Sequence, residues 1–294
     1  MDRLRDVPCV VVSQSSSLCC RPCCFQPSIN FTIRSNATNV ETNDARHIAD
    51  SHGFGDAWIH EEATLFGRSI THCCPGARQT RYVVHSGPIP NALLVDDNTC
   101  CNCVVQDGLT SPEFQSLDPN QIGNVEFYHE KLYTNGINCG FGDKRCPCCC
   151  FLPYLETMDP NGRKIGASQY ICDACLLVPK VDVFDEYDRH TYRVRPDTCV
   201  GGLCVQCRCG GEKGRCCRIP WKIRDPITHE PVQSSHESTG EDAQVTSLWT
   251  GLKRACQKKN AYFLNFPEDA SSNLRATLTG TALLIDMSFS EDDN

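Results

Sequence analysis

The feature that most constrains this chain is a series of short, alternating apolar runs, broken at close intervals by proline, glycine, asparagine and aspartate. From about Trp58 onward, runs at 81–85 and 92–95 flank Gly87-Pro88-Ile89-Pro90, and runs at 113–117 and 124–128 flank Asp118-Pro119-Asn120. Runs at 154–158 and 164–168 flank Asp159-Pro160-Asn161-Gly162, and runs at 180–184 and 191–194 flank Asp185-Glu186-Tyr187-Asp188; a further run, 219–224, leads into Asp225-Pro226. Alternation places every second side chain on one face, the period of a strand. Proline presets the first turn position, while Asp, Asn and Gly supply side-chain bonds and left-handed backbone, so each flanked turn predicts a hairpin. Hairpins at this spacing build a sandwich or a barrel.

The ends of the chain read differently. Residues 1–56 are rich in Ser, Asn, Thr and Asp and lack sustained periodicity, with one strand candidate at 29–33. They predict an accessory segment, disordered or ordered by a protein partner. Residues 234–244 are polar and loop-like. Beyond them the period becomes helical: Leu248, Trp249, Leu252, Ala255 and Cys256 share one face of a short amphipathic helix. Residues 274–289 predict a longer helix, apolar on most sides through Leu278, Leu283, Leu284, Ile285 and Phe289. A transmembrane span needs about 20 mostly apolar residues. This helix is shorter and is interrupted by Thr277, Thr279, Thr281 and Asp286. A core helix is therefore expected, with membrane insertion as the other reading.

The chemistry resides in cysteine: 24 of 294 residues. The start, Met1 to Asp6, carries two acids, and the apolar stretch 9–12 is too brief for a signal-peptide core. Adjacent pairs such as Cys19-Cys20, Cys73-Cys74 and Cys216-Cys217 suit an ordinary disulfide framework poorly. Reduced thiols are expected, available to metal or lipid. The run Cys146, Cys148, Cys149 and Cys150, beside Lys144, Arg145, Phe151 and Leu152, suits reversible S-acylation at an anionic surface. Buried thiols or a zinc site are the alternatives for that run. Cys172-x-x-Cys175 and Cys204-x-x-Cys207, with Cys209 nearby, have the pair spacing of a tetrathiolate zinc site; a thiol-rich loop is the alternative. The net charge of −8 offers no global basic field, so nucleic acid is not an expected partner. Nine histidines are scattered without a metalloprotease, nucleophile-elbow or phosphate-loop motif, so no enzyme activity is expected.

From residue 57 to the C-terminus the motifs resemble those of the phospholipid scramblase family. Arg145-Cys146-Pro147-Cys148-Cys149-Cys150 is similar to its Cys-Pro-Cys-Cys cluster, and Pro160 to Gly166 to its strand-turn-strand ending in Ile-Gly. Cys199 to Cys209 resembles the later cysteine cluster, Trp249-Thr250-Gly251 its Trp-Thr-Gly, Asn265 to Asp269 its Phe-Pro loop, and Gly280 to Asp286 its closing hydrophobic helix. Tyr82-Val83-Val84 through Cys100-Cys101 resembles an early hairpin leading into paired cysteines. The resemblance implies a mainly β fold, a closed tubby-like barrel of about twelve strands around a central helix at 274–289, occupying residues 57–294. It also implies phospholipid as partner, palmitate on the Cys146–Cys150 run, and transbilayer lipid movement. The location it implies is the cytoplasmic face of a membrane or an organelle membrane such as the mitochondrial one. A scaffold that kept the barrel as a subunit of a larger assembly is the alternative. Calcium is implied too, but of the family's acidic loop only Asp269 is kept, with Glu268 extra. Lys258 and Asn260 stand at the two earlier positions with Lys259 between, and lysines repel a divalent cation.

Overall fold

The structure, a computed structural model, describes residues 7–14, 30–35, 55–62, 80–90, 122–134, 152–171, 178–197, 218–234, 242–248 and 260–289. Twelve strands form one closed antiparallel barrel: β1 (Cys9–Gln14), β2 (Asn30–Arg34), β3 (Ala57–Glu62), β4 (Arg81–Ser86), β5 (Val125–Thr134), β6 (Leu152–Met158), β7 (Lys164–Ile171), β8 (Lys180–Asp185), β9 (His190–Pro196), β10 (Arg218–Arg224), β11 (Gln244–Leu248) and β12 (Ala261–Asn265). Each strand pairs with its sequence neighbours. The ring closes where β1 meets β12, with Val10 opposite Leu264 and Val11 opposite Phe263. Closure leaves no sheet edge to template further pairing.

The barrel encloses helix α1 (Ser272–Phe289), whose residues 275–287 are buried on every side. Leu278, Leu283, Leu284 and Ile285 lie in the core with Val10, Val12, Ile59, Phe127, Leu155 and Val183. Removing each such side chain from water contributes about 1.5–3 kcal/mol. Phe289 ends the helix, and its side chain lies outside the described residues. The threonines that interrupt the apolar pattern donate their hydroxyls back along the helix, Thr277 to Asn273 O at 2.9 Å, Thr279 to Arg275 O at 3.0 Å and Thr281 to Thr277 O at 3.1 Å. A polar group buried with its hydrogen bond made costs little. That is how a helix too polar for hydrocarbon serves as a core. No helix among the described residues is long and apolar enough to cross a membrane.

Three tight turns at one rim share a device. Asp159 accepts the backbone N–H groups of Asn161 and Arg163 (2.9 and 2.8 Å), Asp185 those of Tyr187 and Arg189 (both 2.9 Å), and Asp225 those of Ile227 and Thr228 (both 2.8 Å). The hairpins expected around 159–162 and 185–188 form as read, with Gly162 and Asp188 in the left-handed region (φ 81° and 59°).

Several expectations are corrected. The barrel does not begin at residue 57, because β1 and β2, both within 1–56, complete it. β1 is buried along its whole length: Val10 and Val12 face the helix, while Cys9 and Val11 pack outside with Phe263, Ala261 and Leu248. A strand buried on both faces has no alternation, which hid it. Runs 92–95 and 113–117 lie outside the described residues, and neither edge they were expected to pair with is open. β4 is flanked by β3 and β5, and β5 by β4 and β6. Leu248, read as helical, ends strand β11, where it lies opposite Ala261; the remainder of that expected helix lies outside the described residues.

Candidate functional site

The alternating strand directions give the barrel two chemically different rims. At one lie the three aspartate turns and the start of α1, tied to the β8–β9 turn by Asn273 Nδ2 donating to Glu186 at 3.0 Å. At the other lie the end of α1 and the strand ends Gln14, Glu62, Ile171, Pro196 and Leu248. The chain segments joining strand ends at this second rim are 15–29, 63–79, 135–151, 172–177, 198–217 and 249–259. Every cysteine except Cys9, Cys100, Cys101 and Cys103 belongs to one of them. Cys146, Cys148, Cys149 and Cys150 join β5 to β6, Cys172 and Cys175 join β7 to β8, and Cys204, Cys207 and Cys209 join β9 to β10. All nine lie outside the described residues. Connectivity alone attaches them to one rim, which we call the thiol rim. Cys9, the one cysteine described, is buried, and burial pushes its thiol up to about 11, which makes it inert.

The three residues of the expected calcium loop do not come together. Asp269 accepts the hydroxyl of Tyr192 at 2.9 Å beside the start of α1; burial and that carboxylate hold the phenol far above its usual range. Glu268 is exposed next to it, and its backbone N–H donates to Gln233 O at 3.2 Å. Asn260 sits at the thiol rim, where its Nδ2 donates to Asp286 at 2.7 Å. The fourteen-residue step along the helix from its start at 272 to 286 separates the two places by about 21 Å. Among the described residues, no group of three His, Cys, Asp or Glu side chains could hold a metal ion.

Asp286 is the polar centre at the helix exit. It is buried near the C-terminal end of α1, where the helix dipole disfavours an anion, and it accepts both Asn260 Nδ2 and Tyr262 OH at 2.7 Å. These two bonds fasten the last turns of α1 to β12. Lower in the barrel, Arg275 fastens the first turns: its Nη1 donates to Val7 O at 2.8 Å and its Nε to Ala270 O at 3.0 Å. The helix is thus secured at both ends, and its sides fill the lumen. Any ligand chemistry within the described residues belongs to the rims and the outer wall.

No family model matches this chain, and a search of the solved structures returns no match.

The outer wall carries residues that motif reading missed. On β8, β9 and β10, Lys180, Asp182, Arg193, Arg195, Lys222 and Arg224 alternate with core-facing Val181, Val183, Tyr192, Val194 and Ile223. In the sequence they are six ordinary polar positions. Only the strand register brings them side by side.

Proposed function

We propose that this chain is a membrane-associated, phospholipid scramblase-like protein that binds phospholipid, tethered through acyl chains on Cys146, Cys148, Cys149 and Cys150. What supports the reading is the agreement between two independent lines. The motif order implies a twelve-strand barrel around a buried C-terminal helix, and the chain has that architecture. The gathering of thiol-bearing connections at one rim adds a physical reason for attachment there, since several acyl chains on one face act on the same bilayer. Each buried CH₂ contributes about 0.8 kcal/mol; one chain holds a protein marginally, and two or more hold it stably. The proposal is one of binding rather than of passage through the barrel, because α1 fills the lumen and its threonine hydroxyls are spent on its own backbone.

A second reading, an interaction subunit of a larger membrane assembly, is favoured by the filled lumen and by the engagement of Asn260 with Asp286. One experiment separates the two. Replacing all four cysteines of the run by serine is expected to move the protein from the membrane fraction to the soluble fraction. Retention of the variant at the membrane in a stoichiometric protein complex would favour the subunit reading instead.

The same rim suits zinc. Strands β7, β8, β9 and β10 are consecutive neighbours, so the β7–β8 and β9–β10 connections start about 10 Å apart. Cys172 directly follows the last residue of β7. The pairs Cys172/Cys175 and Cys204/Cys207 would give a closed tetrathiolate, with Cys209 as a substitute ligand. Elemental analysis of the purified chain is expected to find one zinc per chain, lost when either pair is changed to serine. A metal-free chain would exclude the site.

A further inference from the structure

The three aspartate turns share a backbone design but differ in the residue they carry at the tip. In each, the aspartate accepts the N–H of the residue two places on, which is Asn161, Tyr187 or Ile227. That bond asks only for a backbone N–H, and the polar Asn161 supplies it as well as the other two. The apolar side chains of Tyr187 and Ile227 are therefore not needed to close their turns. Both project into water, 70 % and 86 % exposed. Val125, the other exposed large hydrophobic among the described residues, begins β5 at the same rim. Burying such side chains is favourable in proportion to the area removed from water, so a fold that has no use for them leaves that free energy to a partner.

Both tips are held in place before anything binds. The Arg189 guanidinium lies over the Tyr187 ring, 5.1 Å from its centre, and its Nε donates to Asp185 at 2.7 Å. The Ile227 turn is tied by Asp225 to the Thr228 N–H and by Arg224 Nη1, which donates to His229 O at 2.9 Å. Groups ordered in advance lose little entropy on binding. Since β8, β9 and β10 are neighbours, the turn joining β8 to β9 and the turn after β10 lie about 10 Å apart. Two turns of an α-helix rise by about the same distance, so apolar residues seven apart on one helix face match the two tips. The charge around them selects the rest of that helix. The cations of these turns are already engaged, Arg163 with Asp159, Lys164 with Asp188 and Arg189 with Asp185. Glu186, Glu230 and Glu268 are exposed at the same rim and have no Lys or Arg within ion-pairing distance among the described residues. Such a rim repels an anionic membrane and attracts a cationic segment.

We infer that Tyr187 and Ile227, with the acids around them, form a docking surface for a basic amphipathic helix of a protein partner. The two tips engage its apolar face, and Glu186, Glu230 and Glu268 face its lysines or arginines. The inference does not rest on lipid binding. It places the partner at the rim opposite the thiol-bearing connections, so a chain tethered through those thiols keeps this surface open.

The test uses the full chain produced without acylation. Its probe is a fluorescent amphipathic peptide of about eighteen residues, leucine on one face and lysine on the other, followed by anisotropy. The wild type is expected to bind this peptide more tightly than one with serine for leucine or one with glutamate for lysine. Tyr187→Ser with Ile227→Ser is expected to weaken binding about thirty-fold. Glu186→Gln with Glu230→Gln is expected to weaken it about five-fold at low salt and less at high salt. Asn161→Ala, at the third turn, is expected to leave it unchanged. All these side chains lie outside the core, and an unchanged circular dichroism spectrum checks that the barrel is intact. A tip variant that binds like wild type, or a wild type with no preference for the leucine–lysine peptide, overturns the surface. Cosedimentation with phosphatidylcholine vesicles that the tip variant loses would show the tips entering lipid, and would overturn the protein partner.

Discussion

Replacing Gly166 by alanine is expected to lower the unfolding free energy by about 2–3 kcal/mol, read as a fall in the urea midpoint at unchanged slope. Local preference points the other way, since glycine inside a strand is a liability of about 0.5–1 kcal/mol relative to alanine. At Gly166, β7 packs tightly against the helix. A Cβ there would run into Thr277 Oγ1 and lie 2.9 Å from Phe184 O, a backbone atom fixed by the sheet. The neighbouring contact is of the same kind: a Cβ on Gly280 would lie 2.6 Å from His129 Nδ1 and 3.1 Å from Leu155 Cδ2. Two glycines, one on the wall and one on the helix, therefore set how closely α1 approaches β5, β6 and β7. Adding Thr277→Ala to Gly166→Ala removes the hydroxyl from the collision and is expected to restore part of the loss. The double variant would then be less destabilised than the sum of the singles. A neutral Gly166→Ala would show that the helix has room to move.

Acidification from pH 7 to pH 5 is expected to remove about 4 kcal/mol of stability through two histidines. His129 is fully buried between the wall and the helix, with Nδ1 3.0 Å from Thr157 Oγ1, and burial pushes it down to about 3. His85 lies outside the lumen, stacked on Trp58 with ring centroids 4.6 Å apart, and burial pushes it down to about 4. Both fold as neutral imidazoles. In the unfolded chain they titrate near 6.5, so their contribution is complete above that pH and is lost as pH falls below it toward 4 and 3. At pH 5 each is about 1.5 pH units inside its window, at about 1.4 kcal/mol per unit. Asp182, which ion pairing with Arg193 and His190 depresses below its ordinary value, loses its contribution only at lower pH. A His85→Phe, His129→Gln chain should therefore lose the slope between pH 6.5 and 5 while keeping its acid limb. An unchanged slope would mean that other groups set the acid sensitivity.

What could be read from the chain before folding follows a physical division. The turns at 159–163 and 185–189 were legible because each is a local bargain, an aspartate oxygen answering two backbone N–H groups a few residues away. The core helix was legible because its apolar residues outnumber its polar ones on most faces, and a span that short suits a protein interior better than a bilayer. β1 was not legible. Its run Cys-Val-Val-Val carries no period because both faces are covered, and its partners, β2 and β12, begin roughly twenty and two hundred and fifty residues further along the chain. The separation of the two ends of the expected calcium loop was not legible for a related reason. Asn260 and Asp269 are near in sequence, but β12 and its turn send them to opposite ends of the helix.

The sequence by itself determined the strand-rich class, the closing helix and the number and spacing of the thiols, because alternation, turn residues and side-chain type are local properties. Only the tertiary structure decided that the barrel needs its first two strands and that nearly all the thiols hang from one rim. It also decided that Lys180, Arg195 and Lys222 stand in one row. Closure and register are set by which strands meet, and residues from distant segments become neighbours only when the ring is complete.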